Sequence, residues 1–277
     1  MNLSIRSVRL QAPAGVVAWA ACATLAQAAL LLDGTRVIFP ERARDVTVRM
    51  KNAGTEPVLA QSWIDDGRAD VPPEQMRTPF VVEPTLARVE AGRNAVLRIT
   101  NMQAQLPADR ESVFWLNVLE VPAVQQDTDN RLRFAFRTRI KLFYRPTALG
   151  NDVDTAVDKL VWKVSADAAH AGGQPISLEV SNPTPYYVSF GMVEGDVGGA
   201  FIPAGGGMVA PFDTQRFPLP GTTARSQRPT AVRYMAIDDY GGRSTITKKT
   251  DRLSNRFTQH IQKARHSTPG HKLDSVC

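Results

Sequence analysis

Two cations, Lys141 and Arg145, close a run in which large apolar residues recur at alternate positions, RLRFAFRTRIKLFYRP from Arg131 to Pro146. Cationic side chains at the end of an extended segment could hold an anion. Leu132, Phe134 and Phe136 fall on one face of such a strand, and Arg133, Ala135 and Arg137 on the other. The apolar row continues, after Thr138, with Ile140 and Leu142. A strand that pairs through its backbone and presents an apolar row is suited to adding itself to a foreign sheet. The same pattern serves an ordinary core strand, and the run alone leaves both open. Lys141 is out of phase with 132, 134 and 136, so a regular strand turns it to the opposite face. Either a bulge corrects this or the two features use different faces.

Catalytic chemistry has little support elsewhere. His170, His260, His266 and His271 lie in a loop or in the polar tail, without metal-ligand spacing to Cys or acidic partners. There is no Gly-x-Ser-x-Gly elbow. Gly205-Gly206-Gly207 runs into Met208-Val209, not into the Lys and helix start of a phosphate loop; it reads as a hairpin turn. Asp65-Asp66 and Asp238-Asp239 invite Ca²⁺, but their spacing is not that of an EF-hand loop. The expectation is a protein that is not an enzyme, with no catalytic residues, no metal and no cofactor.

The elements that must position these side chains have a period of two. Val46, Val48 and Met50 alternate with Thr47, Arg49 and Lys51. Phe114, Leu116 and Val118 alternate with Trp115, Asn117 and Leu119, so both faces of that strand read as largely buried. Ile176, Leu178 and Val180, then Val232, Tyr234 and Ala236, repeat the pattern. Turn signals separate the runs at Asn52-Ala53-Gly54, Asp66-Gly67, Ala91-Gly92, Asn182-Pro183 and Gly241-Gly242. Strands at this spacing predict all-β sandwiches, and no long amphipathic helix is expected before residue 250. Pro146 cannot continue a central ladder, which sets a domain boundary near Arg145-Pro146. A polar stretch, Thr147 to Asp158, then leads to a second strand series from Leu160-Val161-Trp162.

Arg6 and Arg9, an apolar segment from about Ala14 to Leu25, and Ala26-Gln27-Ala28 form a removable signal peptide over residues 1–28. The apolar part is short of the about 20 residues that a membrane span needs, so export without stable membrane insertion is expected. Removing the signal leaves a modest basic balance below the formal +6 of the whole chain, too mild to argue for nucleic acid. Cys22 leaves with the signal and Cys277 is then alone, so packed cores rather than disulfides must stabilise the fold. The tail 251–277 is polar and basic, read as a short helix over Asn255 to Ala264 or as no fixed structure.

Several blocks together resemble one family. Leu106 to Pro122, LPADRESVFWLNVLEVP, resembles the signature of periplasmic pilus chaperones of the PapD type. Ile140 to Pro146, IKLFYRP, resembles the end of their first domain. Asn182 to Tyr187, NPTPYY, and Asp239 to Gly242, DYGG, resemble two blocks of their second domain, and Leu32 to Val37, LDGTRV, resembles the first strand of the mature protein. The resemblance implies an all-β protein of two immunoglobulin-like β-sandwich domains set at an angle with a cleft between them, over 29–146 and 147–250. It implies a periplasmic chaperone that binds and folds fimbrial or pilus subunits by donor-strand complementation and delivers them for assembly at an outer-membrane usher.

The resemblance also assigns residues. Arg36 and Lys141 match the pair that anchors the C-terminal carboxylate of the subunit, where cationic donors make short, charge-assisted bonds. Their alternative is two solvated strand cations. Leu132, Phe134 and Phe136 match the residues that fill the subunit's open groove, each worth about 1.5–3 kcal/mol of burial; their alternative is a row facing its own core. Glu111, Arg145 and Asp239 match a charged trio between the domains, with separate surface charges as the alternative. The short connection from Pro122 to Arg131 resembles the short-loop branch of the family. Two other classes compete. An adhesin or structural pilus component built from the same sandwiches would assemble into fibres, and a pilin usually shows an N-terminal polymerising extension, which is not evident. A carbohydrate-binding sandwich would need an exposed aromatic platform, whereas Trp63, Trp115 and Trp162 read as core residues of alternating strands.

Overall fold

A computed structural model describes residues 29–102, 105–122, 134–166, 175–223 and 228–250. Residues 1–28, read above as a signal peptide, Leu132 and the tail from 251 lie outside the described residues. The first half of the chain contributes β1 (Leu30–Leu32), β2 (Arg36–Pro40), β3 (Asp45–Asn52), β4 (Val58–Asp65), β5 (Phe80–Glu83), β6 (Leu86–Val89), β7 (Asn94–Asn101), β8 (Ser112–Pro122) and β9 (Phe136–Arg145). The second contributes β10 (Val161–Ala166), β11 (Pro175–Ser181), β12 (Val188–Val197), β13 (Ala200–Val209), β14 (Thr214–Thr223), β15 (Ala231–Ile237) and β16 (Arg243–Lys249).

The strands form two sandwiches. In the first, β1-β3-β7-β5 faces β2-β9-β8-β4-β6; in the second, β10-β11-β14 faces β13-β12-β15-β16. The alternating rows read from the sequence supply the cores. Val48, Met50, Leu97, Ile99, Leu116 and Leu142 are buried in the first, and Trp162, Leu178, Val180, Phe190, Phe217 and Tyr234 in the second. A sheet with one face on a core needs this two-residue period, because successive side chains point to opposite faces.

One device recurs in both sandwiches. Asn52 ends β3 and Asn182 follows β11, and each is buried. The Asn52 side chain donates to the carbonyls of Glu56 and Val89 and accepts from the Gly54 amide. Asn182 donates to the carbonyls of Tyr186 and Ala210 and accepts from Thr184. Each amide satisfies the backbone groups that a turn leaves inside the fold.

Two sequence expectations are corrected. Gly205-Gly206-Gly207 is not a hairpin turn: it lies inside β13, and the turn between β12 and β13 falls at Gly198-Gly199. A Cβ on Gly206 would stand 2.8 Å from the Gly191 carbonyl oxygen, so the glycine serves close strand approach at an irregular register. Trp63 and Trp115 are not core residues; both are partly exposed on the face opposite the core, and only Trp162 packs inside. The polar stretch from Thr147 to Asp158 also has structure of its own. It forms 3₁₀ turns over Thr147–Leu149 and Asp152–Lys159 that bury Ala156 in the second core.

Candidate functional site

The site forms where the end of β9 meets the second sandwich. β9 pairs with β8 in an unbroken antiparallel register from Ser112↔Tyr144 to Glu120↔Phe136. No bulge shifts the phase, so Phe136, Ile140, Leu142 and Tyr144 share the core face. Arg137, Arg139, Lys141, Phe143 and Arg145 share the other. Lys141 and Phe136 therefore use different faces. Phe136 is half-buried at the start of β9, and Phe134, just before the strand, is 51% exposed.

β2 lies parallel to β9 but covers only its last part, from Arg36↔Lys141 to Pro40↔Arg145. The segment 136–140 has β8 on one side and no strand on the other among the described residues. The preceding β1 is unavailable to cover it, because it pairs with β3 in the opposite sheet. Buried Glu120 helps to hold the chain there by accepting from the amides of Ala29 and Leu30 at 2.8 and 2.9 Å.

Register makes Arg36 and Lys141 direct cross-strand neighbours, on strands about 4.8 Å apart. Both reach into the second domain. The Arg36 guanidinium donates to the Ile237 carbonyl at 3.1 Å and lies over the Phe143 ring at 5.9 Å, while its buried Nε has no partner. Lys141 Nζ donates to Ser189 Oγ at 3.0 Å. Among the described residues no carboxylate lies within ion-pair distance of either cation. Burial, aided by the adjacent Arg36 charge, pulls the Lys141 pKa down to about 8. Burial lowers the Arg36 pKa as well, against the attraction of Asp239 and Asp238. Two neighbouring, partly desolvated cations with unused donors suit a carboxylate, whose two oxygens would satisfy both at once.

The third cation on this face is fully paired. Arg145 Nε donates to Glu111 Oε1 at 2.6 Å, and its two terminal nitrogens donate to Asp239 at 2.6 and 2.9 Å. Burial opposes the Arg145 charge, but the Asp239 hydrogen bond and both carboxylates outweigh it and raise the pKa. Glu111 also accepts from the Tyr187 amide at 2.8 Å, and its own amide donates to the Pro185 carbonyl at 2.9 Å. Burial pushes the Glu111 carboxyl up against the pull of Arg145 and that amide. Phe143 and Tyr187 meet across the junction with ring centroids 5.7 Å apart. A cavity lined by Arg36, Phe143, Arg145, Tyr187, Ile237 and Asp239 opens between the domains.

The structure thus brings Arg36 to Lys141, and Glu111 to Arg145 and Asp239. Leu132 lies outside the described residues, and Phe134 and Phe136 stand apart from the cations. The sequence reading missed Ser189, the Ile237 carbonyl, Phe143 and Tyr187. All four matter through contacts between distant strands, and alternation within one strand carries no signal of them.

Comparison with known proteins agrees with this architecture. Residues 29–150 match the family described as "Pili and flagellar-assembly chaperone, PapD N-terminal domain", and residues 155–248 match "Pili assembly chaperone PapD, C-terminal domain". The chaperone protein FimB/FhaD of Bordetella pertussis is 42% identical over 234 residues, covering 82% of this chain and 91% of that protein. The CupB2 chaperone of Pseudomonas aeruginosa, whose crystal structure is known, is 47% identical with a TM-score of 0.65, covering 80% of this chain and all of that one. A chain from the Salmonella enterica complex of the SafA pilin with the SafB chaperone is 27% identical with a TM-score of 0.62, covering 79% of this chain and 95% of that one. Both domains match in order and the relatives are covered almost end to end: the chain belongs to the PapD family of pilus-assembly chaperones.

Proposed function

We propose that this chain captures fimbrial or pilus subunits after export, completes their open sandwiches with the first part of β9, and delivers them to an outer-membrane usher. The observation that carries the reading is the half-covered β9. Among the described residues its segment 136–140 has no strand on one side, and that edge ends at Arg36 and Lys141. A subunit strand pairing along that edge would bring its terminal carboxylate to the two cations, which would set its register. Phe134 and Phe136, with Leu132 before them, would then enter the subunit's groove. Glu111, Arg145 and Asp239 would hold the domains at the separation this requires. The leader read over residues 1–28 would take the chain to the periplasm. Such a role makes and breaks no covalent bond, as expected of a chaperone family. The pilin complex among the structural relatives supports it.

Co-expression with candidate fimbrial subunits tests the reading. A subunit recovered from the periplasm in a one-to-one complex with the wild-type chain, but not with Phe134→Asp, is the expected result. Equal recovery with both, from a folded variant, rules out the lending row.

A further inference from the structure

The same face of β9 carries a second charged cluster, away from the cleft. Asp65 ends β4, and its side chain is 0% exposed. Arg139 grips it bidentately, at 2.9 and 2.6 Å. Arg137 Nη2 approaches it at 3.5 Å. The Asn117 side chain on β8 donates to it at 2.8 Å, and the Gly67 amide does so at 2.8 Å. Arg137 also donates to Asn117 Oδ1 at 2.9 Å and to the Ala69 carbonyl at 2.8 Å. Each arginine lies over a tryptophan: Arg137 over Trp63 at 4.9 Å, and Arg139 over Trp115 at 4.5 Å. Burial opposes ionisation of Asp65, but the bonds from Arg139, Asn117 and Gly67 outweigh it and hold its pKa below the usual carboxylate range.

This cluster ties β4 to β9 across the intervening β8, the strand order being β9-β8-β4. It grips β9 at residues 137 and 139, inside the segment whose outer edge no strand covers among the described residues. A strand bonded on one side frays more readily than one bonded on both. We propose that Asp65 is the positioning residue of the lending strand: through Arg137 and Arg139 it holds segment 136–140 extended before any subunit arrives. The proposal rests on the lending role inferred above. A pre-ordered edge spares the encounter the entropy of ordering those residues. The stacked, forked geometry requires arginine, since lysine offers a point charge that neither stacks as a plane nor binds two oxygens in parallel. It also accounts for two large aromatics on the face opposite the core.

The test uses the full mature chain. In Asp65→Asn, the amides of Phe136 to Ile140 are expected to exchange with solvent at least tenfold faster, with those of Leu142 to Arg145 unchanged. Recovery of the subunit that the wild-type chain captures is expected to fall at least fivefold. Unchanged exchange overturns the proposal, and so does acceleration spread evenly along β8 and β9 or faster exchange with undiminished capture. Should Asp65→Asn not fold, the double variant Arg137→Lys, Arg139→Lys decides by the same readouts, because it keeps the charge balance around Asp65 but loses stacking and forked bonding. A wild-type chain that captures no subunit would instead count against the lending role, and the exchange measurement on the free chain still judges the clamp.

Discussion

Two sets of cations meet in one cleft and differ in what they lack. Arg145 is bonded to both Glu111 and Asp239, and its three donor nitrogens are all used. Arg36 and Lys141, on neighbouring positions of paired strands, have a carbonyl, a hydroxyl and each other. All three side chains cross from the first domain to the second. The difference fits joinery for Arg145 and the proposed recognition role for Arg36 and Lys141. A saturated cluster fixes two bodies together and has nothing left for a ligand. An unsaturated pair keeps part of its desolvation cost unrelieved until an anion arrives.

The sharpest way to break this contrast is to remove the saturated cation. Arg145→Ala strands the carboxylates of Glu111 and Asp239 at the junction, with Glu111 buried. The expected loss is about 3–5 kcal/mol in urea unfolding, the usual cost of breaking a buried pair from one side. A loss below about 1 kcal/mol would make the cluster an ordinary surface pair.

Lys141→Ala should do the reverse. It removes a charge the free fold tolerates poorly, so unfolding stability should hold or rise, while affinity for a captured subunit drops about 10- to 100-fold, or about 1.4–2.8 kcal/mol. Equal recovery of subunit with this variant would sink the carboxylate anchor.

pH offers a gentler probe. Lys141 carries a folded pKa of about 8 against an ordinary 10.5. Between those values the unfolded chain binds more protons, so the free protein should gain stability as pH rises through that window. If Lys141 anchors the subunit as proposed, binding uses the ammonium, and a bound carboxylate would raise its pKa again. Binding should therefore weaken as pH climbs above about 8. Calorimetry in buffers of different ionisation enthalpy should detect proton uptake on binding near pH 8.5 (roughly half a unit above that pKa). Stability and affinity moving in the same direction would refute the assignment.

The smallest effect belongs to Ser189→Ala. The hydroxyl that receives Lys141 is lost, at a cost of about 0.5–1.5 kcal/mol, and subunit capture should weaken a few-fold without change in the Arg145 cluster. A loss as large as that of Lys141→Ala would make Ser189 part of the anchor itself.

Much of the fold was legible as alternation. The rows Val48-Met50, Leu116-Val118, Leu178-Val180 and Val232-Tyr234 point into cores because a strand's period is two, and that rule is local. Alternation could not say which face of a two-faced strand meets the core. Trp63 and Trp115 therefore read as interior, whereas they lie beneath Arg137 and Arg139 on the outer face. Nor could it give Asp65 a role, since the side chains of Asn117 and Arg139 that bond it sit 52 and 74 residues away. The glycines at 205–207 misled for a related reason: a turn and a close strand approach both need a missing Cβ.

The sequence by itself determined the alternating rows of the two sandwiches, because backbone pleating follows from residue order, whereas the unbroken β8–β9 register was needed to place Lys141 and Phe136 on opposite faces. Ordered blocks of residues further marked the family. Tertiary structure alone decided that the pairing of β2 begins opposite Lys141 and leaves 136–140 without a strand on that side among the described residues. It alone decided that Arg145 is saturated while its neighbours are not. Partnership is a property of atoms brought together from distant strands, and whether a charge is structural or available depends on which partners arrive.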